Sequence, residues 1–152
     1  MAHDVFIVLH ALAGLVAFGC GVRALRHPAW FESYWWSLLA MAAFVGAAVA
    51  VSWTELDTAS RLIFLGLGAL AGLMIWRATV ARRLLRAGDY PSPAATGHVG
   101  FTLVGLFDAF VVVGLLDLGA PGWLTVVVAL VVAVAGHLLI VRARRTRPTP
   151  IA

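Results

Sequence analysis

The chain has 152 residues, 62% of them hydrophobic and only 12% charged, with 11 basic residues against 7 acidic ones. An ordinary soluble domain is roughly 45–50% apolar and about 25% charged, so too little polar surface exists here to cover a water-soluble core. A disulfide framework is excluded as well, because Cys20 is the single cysteine, and a nucleic-acid module is not expected without a basic patch interleaved with exposed aromatics.

All the basic residues are Arg, and Lys, Asn and Gln do not occur. Together with the abundant Ala and Val, this usage is associated with GC-rich bacterial genomes. Asp4 stands where a signal peptide carries positive charge, and no small-residue cleavage site follows, so the first apolar block is expected to remain part of the protein.

A bilayer core about 30 Å thick is crossed by about 20 mostly apolar helical residues. Five such blocks follow one another. The first, residues 5–25, is uncharged until Arg23, and the second covers 34–53. The third, 62–82, crosses Arg77 and continues towards Arg86, where Gly88 is the expected C-terminal stop. The fourth, 98–117, carries Asp108 inside it, and the fifth covers 123–141. Pro121-Gly122 is the expected tight turn between the last two, and Tyr90-Pro91-Ser92-Pro93 a stiff linker before the fourth.

Arg placement orients these blocks. Arg23 and Arg26 lie in the first connection, Arg82, Arg83 and Arg86 at the third, and Arg142, Arg144, Arg145 and Arg147 in the tail. The opposite side carries Asp4, Glu55, Asp57 and Asp117, with Arg61 its one Arg. Short Arg-rich loops stay cytoplasmic. Trp30, Tyr34, Trp35, Trp36 and Tyr90 then fall at the inner interface, and Trp53 and Trp123 at the outer one, as amphipathic rings prefer. The sequence thus predicts an all-α integral membrane bundle of five transmembrane helices, with the N-terminus outside and the C-terminus cytoplasmic. Residues 1–142 form its single domain, and 143–152 a disordered basic tail near anionic lipid.

Small residues mark the faces on which membrane helices pack. Gly14, Ala17 and Gly21 share a face with His10 in the first block; Ala42, Gly46 and Ala50 form such a stripe in the second, and Gly68 and Gly72 in the third. Asp108 sits about ten residues into the fourth block, hence about 15 Å deep. A charge there costs at least about 2.5–3.5 kcal/mol, so intramembrane acids face the bundle and find partners. His98, Thr102, Gly105 and Ala109 form a narrow arc with Asp108 at its edge. By depth, His10 lies in the outer half, Asp108 near the middle and His137 in the inner half, an order that suits stepped proton transfer. His10 is the ionisable candidate partner for Asp108. The alternative is that these polar groups serve helix packing alone.

His27, His98 and His137 all approach the inner interface. Two imidazoles on facing helices would ligate a b-type haem. Folding the last two blocks about residue 120, however, sets His137 opposite Leu103 and not His98, a mismatch of about 7.5 Å along the axis. No phosphate loop, His-Glu-x-x-His pair or Gly-x-Ser-x-Gly elbow occurs, and Asp108 has no second carboxylate at its depth.

His10-Ala11-Leu12-Ala13-Gly14 in the first block, and Arg86-Ala87-Gly88-Asp89 followed by His98, resemble bacterial multi-span membrane protein families of uncharacterised activity. Those carry a histidine in the first span and another after an Arg-x-Gly-Asp loop. The resemblance covers about two-thirds of the chain and implies membrane location and a shared role for His10 and His98; it supplies no activity.

The expectation is a non-enzymatic plasma-membrane protein with a buried polar site made of Asp108, His10, His137, His98 and Thr102, and with no cofactor or metal. Proton or small-cation handling, or service as a small subunit of a larger membrane assembly, is its expected use. A b-type haem protein and a purely structural membrane partner are the alternatives. Its expected partners are the lipid bilayer and other membrane subunits or further copies of itself, not nucleic acid.

Overall fold

Helix boundaries follow from local capping chemistry. A computed structural model describes residues 2–145. Among them lie α1 (Ala2–Ala24), α2 (Phe31–Ser52), α3 (Thr58–Arg86), α4 (Pro93–Asp117) and α5 (Gly122–Arg145), with a 3₁₀ turn at Pro28–Trp30 joining α1 to α2. All five α-helices are long and apolar enough to cross a membrane.

All five helices are longer than hydropathy alone predicts, and three of them, α3, α4 and α5, markedly so. Asp57 caps α3: its Oδ1 accepts the Ser60 backbone N–H at 2.7 Å, so the helix starts at Thr58 and not near Leu62. Ser92 does the same for α4, its Oγ accepting the Ala95 N–H at 3.1 Å. Pro93, which has no N–H to satisfy, takes the first helical position, five residues ahead of His98. The α5 helix continues through Arg145, so residues 143–145 of the expected tail are helical, and Arg142, Arg144 and Arg145 lie in its last turn beside the negative end of the macrodipole. The remainder of that tail, 146–152, falls outside the described residues.

Two turns close on left-handed glycines. Gly88 ends α3 at φ +79°, with its N–H on Leu85 and the Asp89 N–H on Leu84, as expected from sequence. The α4–α5 connection differs from expectation. Gly119 at φ +76° ends α4, with the Ala120 N–H donated to Leu115, while the Pro121 carbonyl accepts the first N–H groups of α5. Pro121-Gly122 thus opens a helix and is not the turn itself.

The chain divides into two compact units, Met1–Thr79 and Val80–Ala152, and the boundary falls inside α3. In the first unit α1 lies along α2. The buried positions of α1 are Gly14, Ala17, Gly21 and Ala24, the small-residue face expected from sequence. Those of α2 are Phe31, Tyr34, Leu38, Met41 and Ala48. The expected α2 face is therefore corrected: Gly46 and Ala50 are exposed, and a Cβ added at Gly46 would meet nothing within 4 Å. One small surface is enough for close approach, and the facing helix fills the space with larger side chains. Tyr34 belongs to this core, fully buried with its ring edge-on to Phe31 at 5.4 Å. Gly68 and Gly72 of α3 are likewise exposed with open space around them. The buried residues of α3 are Met74, Ala78 and Ala81. Trp35 ties α2 to α3 by donating to the Thr79 hydroxyl at 3.1 Å, and Thr79 in turn donates to the Ile75 carbonyl at 2.8 Å.

In the second unit α4 lies along α5. Glycines set the approach. A Cβ on Gly100 would stand 2.8 Å from Ile140 Cγ1, and one on Gly136 would stand 2.5 Å from both γ-carbons of Val104. Both pairs are centred on residue 120, the register expected from sequence. The outer side of α5 is apolar as well, with Leu130, Leu138 and Leu139 all exposed. Apolar surface of this extent is rare on monomeric soluble proteins.

Candidate functional site

The candidate residues come from two units, and each is placed within its own. His10 belongs to the first. It is half-buried on the α1 face that carries Gly14, Ala17 and Gly21, and its Nδ1 lies 2.9 Å from the Met41 carbonyl of α2. A carbonyl only accepts, so Nδ1 carries the hydrogen and donates it. The ring is thereby fixed in orientation, and Nε2 is left as the atom with which it meets a proton or ligand. Sequence reading offered His10 as a candidate partner for Asp108. Within its own unit its hydrogen-bond partner is a main-chain oxygen, a group present at every residue and invisible in sequence.

Asp108, His98, Thr102 and His137 belong to the second unit. Gly97, Gly100 and Val104 form the α4 ridge that meets Arg144, Ile140 and Gly136 of α5. Asp108 is the next position on this ridge, four residues beyond Val104 and level in register with Val132. Its side chain is half-buried, and its Oδ1 is buried with no hydrogen-bond partner among the described residues. A buried oxygen left this way costs about 1–3 kcal/mol. No acid or base stands beside it on α4, where Phe107, Ala109 and the run from Val111 to Val113 flank it.

The expected arc of His98, Thr102, Gly105 and Ala109 does not form one face. Thr102 is fully buried among Ala95, Val99, Leu103 and Leu106, while Ala109 is exposed. At about 100° per residue, Thr102 and Asp108 project about 120° apart. The Thr102 hydroxyl donates back to the His98 carbonyl at 3.2 Å, so its hydrogen is used inside its own helix. His98 is half-buried, one and a half turns into α4.

His137 is exposed, a correction to its place in a buried site: Gly136 occupies the α5 position against α4, and the next residue turns about 100° away. His98 and His137 are not level, since the register sets His137 against Leu103. His27 is exposed in the α1–α2 connection. Among the described residues no group of three His, Cys, Asp or Glu is arranged to hold a metal ion.

Asp57, exposed at the start of α3, is a helix cap, and hydrogen bonds from the Ser60 hydroxyl and backbone N–H, aided by the Arg61 charge, hold its carboxyl below the ordinary value of 3.8. Arg61 lies over the Trp53 ring at 5.4 Å, and Arg23 over Trp30 at 4.7 Å. These two stacked pairs sit at the ends of helices; the sequence reading named all four residues but not their stacking.

Comparison with protein families, with curated proteins and with solved structures finds no match to this chain.

Proposed function

We propose that this is a five-span protein of a bacterial plasma membrane, N-terminus outside and C-terminus inside, in which Asp108 is the working group of a proton or small-cation pathway. The membrane reading is supported by the five helices long and apolar enough to cross a bilayer, and by the apolar surface of α5. Orientation is supported by arginine: the C-terminal turns of α1, α3 and α5 carry Arg23, Arg83 and Arg86, and Arg142, Arg144 and Arg145. In a chain that crosses five times, these three ends share one side, and short Arg-rich segments stay inside.

The observation that carries the functional reading is the buried Asp108 oxygen without a hydrogen-bond partner, in the apolar middle of α4. A carboxyl kept only for helix packing would be expected to use both oxygens, because an unmet one lowers stability. A carboxyl that takes up and releases a proton or binds a small cation needs an oxygen left open. Service as a small subunit of a larger membrane assembly is compatible with the same site, which would then act within that assembly.

Proteoliposomes with an entrapped pH dye test this. An imposed pH gradient should collapse faster with the wild-type protein than with Asp108→Asn, which keeps shape and hydrogen-bonding capacity but exchanges no proton. A parallel assay with Na⁺- and K⁺-sensitive dyes covers the cation form of the proposal. Equal fluxes for the two proteins in all three assays would reject it.

A further inference from the structure

An open groove of about 330 Å³ lies at the α4–α5 end that carries Pro93 and Arg144, lined by Pro93, Val141, Arg144 and Arg145. Arg144 lies across Gly97: a Cβ there would stand 3.3 Å from Arg144 Cδ and 3.4 Å from its Nε and Nη1. Glycine thus gives the arginine stem a bed on α4, which lowers the entropy lost when the guanidinium engages a ligand. Neither Arg144 nor Arg145 has an ion-pair or hydrogen-bond partner among the described residues. Two guanidiniums therefore stand at one opening with no ion-paired acid among the described residues, and each is a fork suited to phosphate oxygens. The other two walls, Pro93 and Val141, are apolar.

We propose that this groove binds the phosphate headgroup of an anionic phospholipid, with Arg144 and Arg145 on the phosphate and Pro93 and Val141 against the adjoining glycerol and first methylenes. The inference rests on the membrane reading above. Half of the lining is apolar and the groove sits at the end of two membrane-length helices, where headgroups lie. That favours a lipid over a free phosphate ion, which has no apolar part to place against Pro93 and Val141.

Full-length protein purified in a neutral detergent is titrated with phosphatidylglycerol, phosphatidylcholine or inorganic phosphate, and binding is followed by native mass spectrometry. Phosphatidylglycerol should bind wild type, and the other two should not compete. Replacing both arginines (Arg144→Gln with Arg145→Gln) should weaken binding about thirty-fold, taking roughly five-fold per arginine. Arg26→Gln with Arg142→Gln removes the same charge outside the groove and should leave affinity within about three-fold. Equal affinities for the two double variants would overturn the proposal, as would inorganic phosphate binding as well as the lipid. Should the first double variant not fold, Arg144→Lys with Arg145→Lys decides: it keeps the charge but loses the fork, and wild-type affinity in it counts against the site. Retention in carbonate-washed membranes reads the membrane proposal separately. Release by carbonate rejects that reading, whereas a retained protein with indifferent arginines rejects only the groove.

Discussion

Gly136 and Val104 illustrate how single residues set this packing. Val104 is β-branched and stiff at χ1, so its γ-carbons cannot swing away from a Cβ placed 2.5 Å off. Gly136→Ala should therefore destabilise the α4–α5 hairpin by about 1–3 kcal/mol, the usual range for overpacking. Val104→Ala combined with Gly136→Ala should recover most of that loss, because it removes the opposing methyls. Gly46→Ala, at a position open to its surroundings, should cost nothing measurable. Unfolding in mixed micelles followed by circular dichroism checks all three. A Gly136→Ala protein as stable as wild type would mean that the hairpin is looser than described. His10 was legible in sequence as far as its face, because Gly14, Ala17 and Gly21 recur with it at helical spacing. Its hydrogen bond was not, since the acceptor is the main chain of Met41. The place of Asp108 well inside the fourth helix was legible too. Its rotation was not, because the arc of small and polar residues chosen from sequence did not identify the ridge set by Gly97 and Gly100.

Helix ends, as elements, depend on groups that hydropathy ignores. Asp57 and Ser92 lengthen α3 and α4 by capping, and both lie outside the apolar blocks that a hydropathy reading detects. The Asp57 cap has a pH signature. Its folded-state pKa is lowered below 3.8 by the Ser60 and Arg61 interactions, so its stabilising contribution is present above that ordinary value. It is lost as pH falls through the lowered folded value. The difference in thermal midpoint between wild type and Asp57→Asn should therefore be constant near neutrality and shrink below about pH 4. Because the group is exposed, the effect will be small and reduced by salt. A difference that stays unchanged down to pH 2 would remove Asp57 from this role. The packing faces show the limits of sequence from the opposite direction. Small residues located the α1 face correctly but misled for α2 and α3. In α2 the contact is made by Phe31, Tyr34, Leu38 and Met41, because a small surface on α1 needs a large one opposite. Nothing in the α2 sequence alone says which partner it meets.

For the whole molecule, five blocks of hydropathy foretold five helices, each long and apolar enough to cross a membrane. That α1 lies along α2 was not legible, because apolar composition is uniform along the chain and carries no record of which helices lie together. The register of the last hairpin was legible, because the short connection around Gly119 leaves little freedom in how α4 meets α5. Everything proposed above, from the Asp108 pathway to the lipid groove, depends on the chain crossing a membrane five times with its arginines inside. Cysteine accessibility measures this most directly. With Cys20→Ala as background, Glu55→Cys, exposed between α2 and α3, and Arg83→Cys, exposed near the end of α3, are treated in intact cells with a membrane-impermeant maleimide. The account predicts labelling at position 55 in intact cells, and at position 83 only after the cells are opened. Labelling at position 83 in intact cells, with position 55 protected, would contradict it.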